Sequence, residues 1–154
     1  KHPESSSLLQ DIEILLSKQR AGADFAITQV FFETERYSGL VDAARLAGVE
    51  IPIIPGIMPV TSLTRLTKLC ELAGLEVPRE LAHRLETASE PREMHRIGVE
   101  HALDQCRKVL DAGAPGLHFF TFNEHEAVLD VLEELDVPRY SNRFKLPLSD
   151  LQYL

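Results

Sequence analysis

The chain has 154 residues, 44% of them hydrophobic, with a formal net charge of −8 and a pI near 5.2. That length and apolar content are enough for one sizeable core and exclude disorder as the default. The acidic balance disfavours electrostatic capture of nucleic acid or an anionic membrane, although a local basic patch could still hold a phosphate.

The opening KHPESSSLLQ lacks the apolar segment of a signal peptide, begins without Met and does not read as a natural start. No apolar run is long enough to cross a bilayer, so the expected location is the cytoplasm. Ser6 or Ser7 can cap a first helix in which Leu8, Ile12, Leu15 and Leu16 make an apolar stripe ending before Gly22. On that helix Asp11 and Lys18 lie at i and i+7, sharing one face with Ile14 or Leu15 between them. By pattern alone this is a solvated helix face with a stray charge pair. The functional alternative sets Lys18 near a phosphate and Asp11 near a ribose.

Residues 22–32, GADFAITQVFF, read as a buried strand broken by Gln29. A buried carboxamide without partners would forfeit roughly 1–3 kcal/mol, so either a protein group or a ligand should meet it. A helix from about Thr34 to Leu46 follows, stopped by Gly48, and IPIIPGIMPV supplies the next strand and loop. Thr61 reads as the N-cap of a helix carrying Leu63, Leu66 and Cys70 and ended by Gly74. Pro78 starts a short helix to about Thr87. Pro91 opens a longer one in which Val99, Leu103, Cys106 and Leu110 recur at i, i+4, i+7 and i+11. The run LHFFTF is a third strand, and Glu126 to Leu135 a last helix. Residues 138–154 read as an irregular extension beyond a domain spanning 1–137.

Cys70 and Cys106 show no metal-type spacing and read as core thiols, which suits a reducing compartment. His118 reads as a packed, hydrogen-bonded core residue, and His83, His95, His101 and His125 as structural. His2 differs: HPE precedes the first helix, in a loop position where an imidazole can contact a bound cofactor. Glu33 is a carboxylate just past the first strand, ordinarily solvated. No nucleophilic triad, metal cluster or paired-carboxylate motif stands out.

Three segments, KQRAGADFAITQVFF, ARLAGVEIPIIPGI and LDAGAPGLHFFTFN, each pass from a helix end through an Ala-Gly stop into a short apolar run. Such αβ units imply parallel strands buried on both faces and joined by right-handed crossovers. Three strands of that kind are too few for a stable sheet. The expected class is α/β, the C-terminal part of a (β/α)8 TIM barrel, which needs about 250 residues and eight strands. A doubly wound fold would show a G-x-G-x-x-G turn, and none occurs. In a barrel the site lies beyond the C-terminal strand ends, which puts Gln29 level with PGIMP (55–59) and TFN (121–123). There its amide suits the edge of a flat heterocycle as well as a neighbouring backbone.

HPE, AGADFAITQVFF, IPIIPGIMPV and GVEHA…CRKVLDAGAPGLHFFTFN, in this order and spacing, resemble the C-terminal half of the 5,10-methylenetetrahydrofolate reductase family over residues 2 to about 137. The resemblance implies a TIM barrel holding FAD, which takes a hydride from NAD(P)H and passes it to methylenetetrahydrofolate, a step of one-carbon metabolism and methionine biosynthesis. It implies that Gln29 contacts the folate pterin, that Arg65 stands where the family can carry a folate-contacting glutamine, and that His2, Asp11 and Lys18 line the FAD. Departures from the family pattern are Leu69 for a phenylalanine, Phe120 for a tyrosine, Glu124 for the arginine of TLNR, and Ile14 and Ser17 for polar or basic residues. The acidic proton donor of the family belongs to an N-terminal half. The expected function is therefore that of an oxidoreductase fragment, inactive alone, partnered by the missing barrel half or by further copies of itself. The rival is a noncatalytic half-barrel interaction module pairing with a complementary chain. A phosphate-binding lyase is disfavoured, since no strand carries a Schiff-base lysine and no glycine-rich phosphate loop occurs.

Overall fold

A computed structural model describes residues 7–135. The elements run α1 (Leu8–Arg20), β1 (Ala26–Val30), α2 (Thr34–Leu46), β2 (Ile53–Ile57), α3 (Leu63–Ala73), α4 (Arg79–Thr87), α5 (Pro91–Asp111), β3 (His118–Phe119) and α6 (Glu126–Glu134). The strands form one parallel sheet in the order β1-β2-β3. Residues 1–6 and 136–154 lie outside the described part, and with them His2 and the expected C-terminal extension.

Local chemistry sets the helix ends. The Ser7 hydroxyl accepts from the Gln10 N–H at 3.3 Å and opens α1. For α3 the expected cap, Thr61, is one residue early: Ser62 is the extended residue, and its hydroxyl accepts from the Arg65 N–H at 3.3 Å. Gly74 ends α3 in the left-handed region at φ 63°, a conformation that a Cβ would penalise.

Two apolar clusters hold the layers together. One joins the strands to α2, α5 and α6 through Ile53, Ile57, Tyr37, Ala102, Cys106 and Val131. The other lies where β1 and β2 end against α3, α4 and the start of α5, around Val30, Met58, Leu66, Cys70, Leu85 and Ile97. Helix α5 can lie so close to the chain leaving β2 because Gly98 has no side chain: a Cβ there would stand 2.3 Å from the Val60 carbonyl oxygen.

Two strand expectations are corrected. Strand β1 is not buried on both faces, since Ile27 is 43% exposed and Gln29 is exposed beside it. The third strand is only two residues long, because the chain turns over at Phe122 and Asn123, both at positive φ (47° and 66°). Among the described residues, no helix is long and apolar enough to cross a membrane.

Both cysteines are free and buried, as their sequence setting implies. Burial pushes the Cys106 thiol up to about 12 and raises that of Cys70. A raised thiol pKa favours the protonated native form, so its stabilisation is present below the unfolded value of 9.0 and fades as pH rises toward 12. The protein should accordingly lose stability above about pH 9, and a thiol reagent at pH 8 should label neither cysteine until denaturant is added. Rapid native labelling of Cys106 would contradict this burial.

Candidate functional site

The α1 periodicity that joins Asp11 and Lys18 turns both toward β1. Asp11, Ile14, Leu15 and Lys18 from α1, Ile27 to Gln29 from β1, and Arg36, Tyr37 and Leu40 from α2 line one cavity. The cavity follows from the topology, because β1 is an edge strand in the described sheet. Its floor is fixed from below: the Tyr37 hydroxyl donates to the Ile53 carbonyl at 2.8 Å, and its ring stacks on Phe31 with centroids 5.8 Å apart. Burial raises the Tyr37 pKa, against the opposing effect of the nearby Arg45 charge. Arg36 is held by Glu33, the carboxylate at the strand end.

Gln29 is exposed, so the desolvation expected of a buried amide does not arise. Its Oε1 accepts from the N–H of the next residue, Val30, at 2.9 Å. The main-chain partner anticipated as an alternative is thus present, for the carbonyl end of the amide. Thr28 ties the strand to its neighbour, accepting from the Gly56 N–H and donating to the Gln29 carbonyl, each at 2.9 Å.

Arg65 is not part of this group. It lines a second cavity at the ends of β2 and β3, with Thr61, Thr121, Asn123, Glu124 and His125. There its two terminal nitrogens engage both carboxylate oxygens of Glu124. His95 Nε2 lies 2.6 Å from Asp130 and clasps α5 to α6, the structural role expected of it. His118 is half-buried and packs edge-on against Phe120, with centroids 4.7 Å apart, so it is less enclosed than a core residue. Among the described residues no group of three or more His, Cys, Asp or Glu could hold a metal ion.

The sequence reading missed the residue that braces the end of β1. Gln105 is 2% exposed, and its Nε2 donates to the Phe31 carbonyl at 2.9 Å, two residues beyond Gln29. Among the described residues its Oε1 has no hydrogen-bond partner, nor has Nε2 of His101, one turn earlier on α5. Burial lowers the His101 pKa, which keeps the ring neutral at pH 7. The available signal was a glutamine beside the apolar positions Leu103 and Cys106 of a helix.

Comparison with known proteins covers nearly all the described residues. The chain is 35% identical over 136 residues to the probable methylenetetrahydrofolate reductase (NADPH) of Caenorhabditis elegans, covering 87% of this chain and 20% of that one. It is 31% identical over 137 residues to the 5,10-methylenetetrahydrofolate reductase of Escherichia coli, covering 88% and 46%. The chain therefore spans between a fifth and about half of the length of these relatives. A solved protein of Clostridium thermocellum, described as uncharacterized and binding two copies of 5-methyl-5,6,7,8-tetrahydrofolic acid, shares the fold. Its TM-score is 0.54 at 16% identity, covering 83% of this chain and 48% of that one. The methylenetetrahydrofolate reductase family profile matches residues 1–136, and on this match the chain belongs to the methylenetetrahydrofolate reductase family.

Proposed function

We propose that this chain forms the C-terminal part of a (β/α)8 barrel that reduces 5,10-methylenetetrahydrofolate to 5-methyltetrahydrofolate with NAD(P)H, and that it supplies folate contacts and part of the FAD contacts. The observation that carries this reading is the meeting of Asp11 and Lys18 of α1 with Gln29 of β1 in one cavity. The family relationship over residues 1–136 supports reading those three positions as one site.

The cavity fits a flavin dinucleotide in chemistry. Lys18 offers a cation for phosphate, Asp11 an acceptor for a ribose hydroxyl, and Ile14, Leu15 and Ile27 an apolar wall. FAD, when bound, supplies hydride chemistry that no side chain can perform. This chain's own residues bind and orient. The Gln29 amide N–H groups are donors for a pterin carbonyl or ring nitrogen, with Oε1 anchored on Val30. The family resemblance adds His2, which lies outside the described residues, as a cofactor contact and Arg65 as a folate contact.

The open flank of β1 is where the preceding strand of the barrel would pair, supplied by an N-terminal half or by another copy. Phe25, just before β1, is 52% exposed and Ile27, within it, 43%. The same exposure suits a noncatalytic half-barrel that pairs with a complementary chain, and flavin retention separates the two. A complete protein that stays yellow through gel filtration supports the enzyme, and one unable to take up FAD supports the module. Within the complete protein, Gln29→Leu should weaken 5-methyltetrahydrofolate about tenfold, the worth of one well-made hydrogen bond, while leaving FAD bound. Unchanged folate affinity would remove Gln29 from the site.

A further inference from the structure

The pairing of β1 with β2 is irregular at the residue that carries the proposed folate contact. Ala26 and Ile27 face Ile53 and Ile54 in step, but the next pair is Val30 with Gly56, so β1 advances three residues where β2 advances two. Thr28 and Gln29 form the resulting bulge. Side chains join the hydrogen bonding there. The Gly56 N–H donates to Thr28 Oγ1, the Thr28 hydroxyl donates to the Gln29 carbonyl, and the Val30 N–H donates to Gln29 Oε1, each at 2.9 Å. Thr28 is half-buried and lines the same cavity as Gln29. Its one hydroxyl proton is committed to the main chain, which leaves it no donor for a ligand.

We infer that Thr28 is a positioning residue, whose hydroxyl aims the Gln29 amide by locking one peptide plane. This rests on the reading of Gln29 as a folate contact. The Gln29 carbonyl and the Val30 N–H are the two ends of a single planar peptide unit, so they can only turn together. Thr28 grips the carbonyl end, and the N–H end grips Gln29 Oε1. Rotation of this unit would swing the amide, and the Thr28 hydroxyl opposes it. The hydroxyl is itself referenced to β2 through the Gly56 N–H, so the aim of Gln29 is set by the neighbouring strand and not by its own exposed side chain. Because only the oxygen of the amide can accept from Val30, the lock also fixes which end is left for the ligand: the donor, Nε2.

The test is a double-mutant cycle in the complete protein, read by equilibrium binding of 5-methyltetrahydrofolate, with FAD retention and thermal melting followed on the same samples. Thr28→Val keeps the branched shape and removes the hydroxyl. It should weaken 5-methyltetrahydrofolate by about three- to tenfold while FAD stays bound. Thr28→Ser keeps the hydroxyl and should bind within about twofold of the parent, although serine is the poorer strand former. In the Gln29→Leu background, Thr28→Val should have no further effect on affinity, because no amide remains to be aimed. Should Thr28→Val fail to fold, Thr28→Cys replaces it in the cycle, with a smaller loss expected from its weak donor and acceptor. A threonine that merely ties β1 to β2 would lower the melting temperature and weaken the ligand equally in both backgrounds, and that result overturns the proposal. Parent-like affinity in Thr28→Val overturns it too, and leaves the role of Gln29 standing. If Gln29→Leu itself binds 5-methyltetrahydrofolate like the parent, the reading of Gln29 falls and this inference with it.

Discussion

Gly98→Ala should destabilise the protein by at least about 2 kcal/mol, lowering its Tm by about 4–8 °C. The added methyl would stand 2.3 Å from the Val60 carbonyl oxygen and 2.8 Å from its carbon, and these are backbone atoms that cannot swing aside. Overpacking of this kind costs about 3 kcal/mol, and the better helix propensity of alanine returns at most about 1. The internal control is Gly39→Ala in α2, where nothing lies within 4 Å of the new Cβ. There only the propensity gain operates, and stability should rise by about 0.4–1 kcal/mol. Thermal melts of the two variants should therefore move in opposite directions. If Gly98→Ala melts with or above the parent, α5 does not press on the end of β2 in the way described.

Gln105→Ala should cost about 3–4 kcal/mol, from two sources that a second variant separates. The Phe31 carbonyl loses its buried donor, worth about 1–3 kcal/mol, and truncation of a side chain that is 2% exposed leaves a cavity. Gln105→Met fills the volume and removes only the tether. Its cost should be about 1–2 kcal/mol, since it also eliminates the unpartnered Oε1. Because Phe31 follows Gln29 by two residues, the methionine variant should also weaken folate binding in the complete protein while remaining folded at 25 °C. A glutamine whose only task is to hold the core would change the denaturation midpoint and leave ligand affinity untouched. Chemical denaturation and ligand titration on the same samples decide between these outcomes.

The helices were legible because their signals are local. Thr34–Leu46 is the span expected from periodicity and the following glycine, and Pro91 opens α5 as its fixed φ predicts. The Thr61/Ser62 shift shows the limit: both are hydroxyl residues, and only the path of the chain leaving β2 chooses which is extended. Burial of β1 was misread for a related reason. An apolar run is the same string whether one or both faces of its strand are covered, and within residues 7–135 Ile27 is left 43% exposed. The shared face of Asp11 and Lys18 was readable from a seven-residue spacing, and their approach to Gln29 was not, since it depends on how α1 packs beside β1. Gln105 and the Arg65–Glu124 pair were invisible for the same reason, their partners lying 74 and 59 residues away.

Gly56 has a mechanical consequence. Any side-chain carbon there would fall 2.6 Å from both the Phe120 ring and the Thr28 carbonyl oxygen. Its N–H is already committed to Thr28 Oγ1, so the three strand ends interlock about one residue without slack. The chamber beside α1 and the one beneath Arg65 thus stand on a common keystone. Gly56 thus lies between Thr28, in the wall of the first, and Phe120, in the wall of the second.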